Sequence, residues 1–304
     1  MPRFAANLHY LFTELPFLDR FEAAAAAGFK AVEFQVPYDY PATELSVRPR
    51  NHRLEMVLFD APMGDWARGD RGIAAVPGRE QEFRDGFSTV IEYASALKCS
   101  TVHVMAGAIG SGADYQIAER TYLSNLRHAA AVLGTHGIVG VIEPINKKMG
   151  LVANGPSYTT QGMHGYFLNH ADHATRILRE IDSPHLQLHL DLYHMQMLEG
   201  HLAETIRKQI GQLRHVQIAG VPGRHAGHRG NQLSLSVRSA GRTELFGLGR
   251  LRIPAPGRHL EWAVLGGKVW NQHCTGGRSQ VGADGVRVWV PKKRGAPECP
   301  SETT

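Results

Sequence analysis

The feature that most constrains the fold is a regular alternation along residues 1–224. Short apolar runs alternate with segments whose apolar residues recur every three or four positions, which is the period of an amphipathic helix. Strands that alternate with helices form a parallel sheet with right-handed crossovers. Continuous apolar runs are typical of strands that are covered on both faces. The predicted strands are Phe4–Tyr10, Ala31–Val36, Arg53–Phe59, Thr101–Met105, Gly137–Ile142, Leu186–Leu190 and His215–Ile218.

The helical period is clearest in three segments, residues 80–98, 115–135 and 196–211. A run of alanines, Ala23–Ala27, predicts a further helix that stops at Gly28. Seven strand–helix units favour an α/β barrel that needs an eighth strand. The alternative is an open doubly wound sheet, but no G-x-G-x-x-G fingerprint follows the first strand. We therefore expect no nucleotide cofactor.

Charge is distributed unevenly along the chain. The whole chain of 304 residues has a net charge of +5. Residues 225–304 alone have 12 basic and 5 acidic side chains, a net charge of +7, which leaves −2 for residues 1–224. The last segment also holds 13 of the 33 glycines. This break predicts a barrel domain over 1–224 and a divergent, basic, Gly/Arg-rich and poorly ordered tail over 225–304.

Polar residues stand where three consecutive apolar strands end. Glu143 follows the fifth strand, Asp191 ends the sixth, and Gln217 lies in the seventh. In a parallel barrel the chemistry lies at the carboxyl ends of the strands. Two carboxylates and an amide carbonyl suit a hard divalent cation such as Mg²⁺ or Mn²⁺, with His194 or His189 beside it to handle protons. The alternative is that these groups cap nearby backbone or pair with arginines.

Four other residues are weaker candidates for the mouth of the barrel. His9 and His103 lie in strands one and four, and Glu33 in strand two is placed to orient a neighbour. Arg224 follows strand seven, where a guanidinium can hold a substrate carboxylate through two hydrogen bonds. The alternatives are rim or core histidines and a solvated arginine. A long loop after strand five, with Tyr158, Tyr166 and the glycines of residues 150–165, suggests a lid.

Several stretches together resemble the hydroxypyruvate isomerase family, which belongs to the xylose-isomerase-like barrels. The resemblance covers about residues 3–224. It is densest in the E-P-I-N stretch that begins at Glu143 and the H-L-D-L-Y-H-M-Q stretch that begins at His189. The stretches that carry it are Asn7–Phe12, Phe29–Gln35, Ile142–Asn146, His189–Gln196 and His215–Ala219.

The resemblance implies an aldose–ketose isomerase that interconverts hydroxypyruvate and 2-hydroxy-3-oxopropanoate. In the family, one glutamate removes a proton next to the carbonyl and a second returns it to the neighbouring carbon. Glu143 matches the first of these, and Asp191 and Gln217 match metal-site positions of related barrels. His194 matches a substrate-contacting histidine. Together with His103 and Arg224, which are candidates from their positions at the strand ends, His194 is a predicted substrate-binding residue. The predicted metal ligands are Glu143, Asp191 and Gln217.

Two other families use a similar barrel. Sugar epimerases usually carry histidine where Gln217 stands and a further glutamate soon after the one matched by Glu143, whereas this chain continues with Asn146 and Lys147. An endonuclease IV-like enzyme needs more matched histidines and a basic groove for DNA. The net charge of residues 1–224 argues against that groove, so we expect a small hydroxy-carbonyl acid and no nucleic acid as partner.

The family pattern stops after Arg224. The expected eighth strand, with the second catalytic glutamate, has no counterpart among residues 225–304. The runs His259–Leu265 and Val286–Val290 are the strand-like segments there, and Glu261 is their one acidic residue. The eighth unit is thus predicted to be missing or replaced. The alternative function is a catalytically impaired or non-catalytic variant of the family.

The sequence also gives expectations about location. Its three cysteines form no paired framework, which favours a reducing compartment. No signal peptide and no apolar stretch of about 18 residues is apparent. We therefore expect a cytoplasmic protein without a membrane partner, and an oligomer is compatible with the sequence.

Overall fold

The computed structural model describes residues 3–110, 112–147 and 163–219, together with the backbone of five short strands farther along the chain. The chain divides into two compact units, Met1–Lys268 and Val269–Thr304. Arg224 and most of the proposed lid, including Tyr158, lie outside the described residues. The predicted domain boundary after residue 224 stays a prediction.

The first unit contains a closed parallel barrel with the strand order β1-β10-β7-β6-β5-β4-β3-β2. All seven strands predicted for residues 1–224 are present, so the expected xylose-isomerase-like α/β barrel is confirmed. The strands are β1 (Arg3–Asn7), β2 (Ala31–Glu33), β3 (Glu55–Asp60), β4 (Thr101–His103), β5 (Val139–Ile142), β6 (Leu186–Asp191), β7 (Leu213–Ile218), β8 (Leu245–Phe246), β9 (Arg250–Leu251) and β10 (Glu261–Val264).

Helices follow the barrel strands, as the alternation predicts. Their apolar faces pack on the sheet around fully buried aromatic side chains such as Phe21, Phe59 and Tyr122. The helices are α1 (Arg20–Ala26), α2 (Ala42–Asn51), α3 (Glu80–Leu97), α4 (Tyr115–Thr135), α5 (Ala171–Ile181), α6 (Leu192–Leu198) and α7 (Leu202–Gln209). Among the described helices, none is both long enough and apolar enough to cross a membrane.

The prediction of one helix over residues 196–211 is wrong. The structure has two helices there, α6 and α7, separated at Gly200 and His201. Both residues have positive φ, +67° and +45° respectively, so the backbone leaves the right-handed helical region before α7 begins. The apolar residues that recur at every fourth position continue across this break, so their spacing alone predicts one helix.

The eighth strand position is taken by β10, which comes from the basic tail. It pairs in parallel with β1 on one side and with β7 on the other. Glu261 stands opposite His215, whereas Ala263 stands opposite Gln217. The strand-like run predicted around Glu261 therefore closes the barrel, and its one acidic residue lies two positions before the level of Gln217.

The second unit contains a two-stranded antiparallel sheet, β11 (Gly277–Val281) with β12 (Arg287–Pro291). The second strand overlaps the predicted run Val286–Val290. In the first unit, β8 and β9 also form a short antiparallel pair.

Candidate active site

A cleft opens at the carboxyl ends of the barrel strands. This is the end of a parallel barrel at which the loops gather polar side chains. Its polar lining combines two carboxylates with imidazole and amide groups. The residues that line it are Asn7, Tyr10, Phe34, Gln35, Leu58, Asp60, Met63, Trp66, His103, Met105, Glu143, Ile145, Met163, His189, His194 and Gln217.

Glu143 lies immediately after β5 and is buried among three imidazoles. Its Oε2 atom is 3.7 Å from His103 Nε2 and 3.7 Å from His189 Nδ1. Its Oε1 atom is 3.8 Å from His194 Nε2. The carboxylate is thus surrounded by groups able to donate or share a proton, and its catalytic role stays a prediction.

Asp191 and His194 sit together at the start of α6. One Asp191 oxygen accepts a hydrogen bond from the Tyr193 backbone nitrogen at 2.8 Å and caps the helix. The other is 3.6 Å from His194 Nε2. Asn146 Nδ2 lies 2.8 Å from His194 Nδ1. Because an amide nitrogen only donates, Nδ1 accepts, and a neutral His194 carries its proton on the Nε2 atom that faces both carboxylates.

Glu33 is fully buried beside the cleft and connects three strands. Its Oε1 atom accepts from Asn7 Nδ2 at 2.7 Å and from Gln217 Nε2 at 2.6 Å. Its Oε2 atom lies 2.7 Å from His215 Nε2. Glu33 therefore orients its neighbours, as the sequence suggested. Since the Gln217 nitrogen donates to Glu33, its carbonyl oxygen is turned away from Glu33.

Asp60, at the end of β3, was not predicted. Its Oδ1 atom lies 3.1 Å from His103 Nδ1, so Asp60 orients the imidazole whose other nitrogen faces Glu143. Asp60 ends an apolar run, as Asp191 does, and this shared signal was available in the sequence. Asp60, His103 and Glu143 form a continuous polar chain across the cleft.

The remaining histidines differ in environment. His189 is buried in the cleft, and burial together with the neighbouring His215 imidazole holds its pKa well below the ordinary value, so the ring is neutral. His9 is outside the cleft lining. Its Nδ1 atom accepts from the Gln35 backbone nitrogen at 3.0 Å, and burial with nearby Arg20 lowers its pKa to about 4. The hydrogen bond with the Gln35 backbone thus gives His9 a structural role outside the cleft.

The proposed lid is only partly described. Tyr166, at its end, is completely buried, and its hydroxyl accepts a hydrogen bond from the Ala106 backbone nitrogen at 3.0 Å. Tyr166 is therefore a core residue that ties this segment to the loop after β4.

Comparison with known proteins identifies the family. The model of the xylose isomerase-like TIM barrel matches residues 21–261. The chain belongs to this family. The match extends beyond Arg224 as far as the first residue of β10, the strand that closes the barrel.

Curated relatives are named as isomerases. The chain is 45% identical over 225 residues to the 2-oxo-tetronate isomerase of Cupriavidus necator, which covers 74% of this chain and 82% of that protein. It is 41% identical over 228 residues to a Homo sapiens protein named hydroxypyruvate isomerase, covering 73% and 78% respectively. The protein is thus an enzyme of the hydroxypyruvate isomerase family.

Solved structures agree with this fold. A protein of Brucella melitensis, described as an AP endonuclease of family 2, is 44% identical with a TM-score of 0.70, covering 76% of this chain and 84% of that one. The D-psicose 3-epimerase of Clostridium cellulolyticum is 15% identical with a TM-score of 0.60, covering 75% and 76%. At that identity the second likeness concerns the fold alone.

The chemistry of the cleft fits a divalent metal. Glu143, Asp191 and His194 each offer one atom that could bind a metal, and these three atoms lie within 4.8 Å of one another. The same is true of His103, Glu143 and His189. Carboxylate and amide oxygens suit Mg²⁺ or Mn²⁺. Gln217, which the sequence predicts as the third ligand beside Glu143 and Asp191, is not a member of either group. In the β6–β7 register Asp191 stands directly opposite Gln217.

Proposed function

We propose that this enzyme interconverts hydroxypyruvate and 2-hydroxy-3-oxopropanoate. The observation that carries the proposal is the Glu143 carboxylate, buried in the cleft and faced by three imidazole nitrogens at 3.7–3.8 Å. A carboxylate in such a site is suited to removing a proton next to a carbonyl. The names of the Homo sapiens and other relatives support the same reaction.

The isomerisation moves hydrogen between two adjacent carbons. Glu143 takes a proton from C3 of hydroxypyruvate, and the electron pair of that bond forms the C2–C3 double bond of an enediolate. A second carboxyl group, as the resemblance implies, returns a proton to C2. The proton that the C3 hydroxyl loses passes to the C2 oxygen, so that C3 becomes the aldehyde and C2 carries the hydroxyl. His194 and His103 face Glu143, so they are placed to exchange protons with the substrate oxygens. Arg224 remains the residue we predict for the substrate carboxylate.

A divalent cation would be held by Glu143, Asp191 and Gln217. When bound, it would neutralise the negative charge that develops on the substrate oxygens during isomerisation. Glu33 supports this set because its hydrogen bond with Gln217 Nε2 directs the amide oxygen away from Glu33. The contacts of Glu33 with the amides of Asn7 and Gln217 and with the His215 imidazole also hold β1, β2 and β7 in fixed positions around the site.

A four-carbon substrate is the second candidate. The Cupriavidus necator relative, which has 45% identity, is named 2-oxo-tetronate isomerase. That compound carries the same 2-oxo acid group next to a hydroxylated carbon, so the same proton transfer at Glu143 applies. Comparing turnover of the two substrates decides between them.

Loss of the second catalytic glutamate is the basis of the alternative function. The carboxylates whose side chains are not described are Glu244, Glu261, Asp284, Glu298 and Glu302. Of these, Glu261 is placed in the barrel, and Ala263 rather than Glu261 stands at the level of Gln217. A catalytically impaired member of the family is the outcome if none of them returns the proton.

The test is turnover of hydroxypyruvate by the purified full chain with Mg²⁺ or Mn²⁺. We expect turnover that Glu143→Gln reduces by about a thousandfold or more, because an amide cannot accept the proton. Glu44→Gln, at an exposed position on α2, is the matched control. A folded wild-type sample that turns over neither substrate would refute the isomerase and support the impaired variant.

A further inference from the structure

An aromatic wall bounds one side of the cleft. Trp66 lies on the loop between β3 and α3, six residues beyond the end of β3, and it lines the cleft together with Met63. Residues that follow a barrel strand by several positions stand above the polar floor formed at the strand ends. Trp66 is therefore placed to meet the part of a substrate that extends away from the strand ends.

The indole is fixed by Arg71. The guanidinium carbon of Arg71 lies 3.9 Å from the centroid of the Trp66 ring, which is a close cation–π contact. Arg71 is 3% exposed, and its Nη1 atom donates to the backbone oxygens of Trp66 at 3.1 Å and Asp70 at 2.5 Å. The same side chain thus holds both the ring and the backbone of Trp66.

The loop that carries this pair is closed on itself. The Gly72 backbone nitrogen donates to the Met63 oxygen at 3.0 Å, so the two ends of the loop meet. Within it, Asp70 accepts from the Asp65 backbone nitrogen at 2.6 Å and pairs with Arg79 at 2.7 Å. These contacts fix the backbone that carries Trp66, and the cation–π contact with Arg71 fixes the indole, so Trp66 forms a rigid wall.

We propose that Trp66, clamped by Arg71, is the specificity-determining residue that restricts the cleft to three- and four-carbon 2-oxo acids. This rests on the proposed function, which places the reacting carbons beside Glu143. A rigid ring beyond those carbons would contact each carbon atom added to the chain, and a packed wall discriminates about 10- to 200-fold for one added methylene. Arg71 acts as a positioning residue, since it touches the indole and not the substrate.

The experiment compares binding of pyruvate, 2-oxobutanoate and 2-oxopentanoate to the full chain by titration calorimetry with Mg²⁺. We expect the wild type to bind the five-carbon acid about tenfold or more weakly than pyruvate. Trp66→Ala should reduce this ratio to about threefold or less, and Trp66→Phe should retain most of it. Tyr115→Ala, which removes an exposed aromatic ring outside the cleft lining, is the control and should leave the ratio unchanged.

Arg71 is tested in the same way. Arg71→Met should lower the discrimination, and Arg71→Lys should restore part of it because the cation remains over the indole. A purely structural role would lower the melting temperature without changing the ratio. If Trp66→Ala does not fold, Trp66→Leu, which keeps an apolar side chain, takes its place.

The outcomes separate the two proposals. Binding requires no turnover, so a protein that discriminates by chain length but does not isomerise hydroxypyruvate would refute the proposed function and leave Trp66 as the wall. An unchanged ratio in folded Trp66→Ala, or a wild type that binds all three acids equally, would overturn the role of Trp66. Longer substrates turned over by Trp66→Ala alone would support both proposals.

Discussion

Replacing Glu33 with alanine should destabilise the barrel strongly. Glu33 is fully buried and accepts hydrogen bonds from Asn7 and Gln217, with a contact to His215 at 2.7 Å. Alanine would remove the acceptor for all three groups while they stay buried. Each buried polar group that loses its partner costs about 1–3 kcal/mol, so we expect a loss of about 4 kcal/mol in the free energy of unfolding.

Glutamine at the same position should cost much less. Its amide oxygen replaces Oε1 and still accepts from Asn7 and Gln217. Its amide nitrogen replaces Oε2 and donates to His215 Nε2 if the imidazole proton moves to Nδ1. Among the described residues His215 Nδ1 has no hydrogen-bond partner, so this change of tautomer breaks no other contact. We therefore expect a loss of about 1 kcal/mol for Glu33→Gln.

Urea unfolding of both variants, with exposed Glu44→Ala as the control, measures the difference. For a domain of this size, 4 kcal/mol corresponds to a fall of about 10 °C in the melting temperature. Equal losses for alanine and glutamine would show that the charge of Glu33, not hydrogen-bond satisfaction, holds the three strands. A loss below about 1 kcal/mol for alanine would contradict the structural role altogether.

Two further predictions concern His9 and a loop glycine. Burial lowers the His9 pKa to about 4 from its ordinary 6.5, so the unfolded chain binds the extra proton first as the pH falls. His9 should therefore lower the free energy of unfolding by about 3 kcal/mol as the pH falls from 6.5 to 4, with no such effect above pH 7. Urea unfolding of the wild type and of His9→Gln should show a difference in stability that changes by this amount across the range. A difference that does not change with pH would contradict the reasoning. Gly72 has φ of +93°, and an added Cβ would lie 2.5 Å from the Met105 backbone oxygen. Gly72→Ala should therefore lower the melting temperature much more than Gly69→Ala. Gly69 also has positive φ, but no atom lies within 4 Å of the position its Cβ would take. Equal shifts in melting temperature would show that the loop moves to relieve the clash at Gly72.

Local pattern was enough to predict most of the barrel and part of the site. The seven strands follow from apolar runs, because a strand covered on both faces must be apolar along its length. Glu143, Asp191 and Gln217 follow from the same pattern, since each interrupts or ends such a run at the end of the barrel where loops meet. Asp60 also ends an apolar run, but it was not predicted. The break at Gly200 was not predicted either, because apolar residues recur at every fourth position on both sides of it.

The sequence by itself determined the fold class, the family and the strand ends that carry the polar residues, because these depend on the order of residues along short segments. Tertiary structure decided which of those residues meet. Glu33 and Gln217 are 184 positions apart, yet closure of the barrel places them in hydrogen-bond contact. The same closure decided that β10 enters between β1 and β7, a position that depends on the two open strand edges and their backbone hydrogen bonds rather than on any motif in the tail.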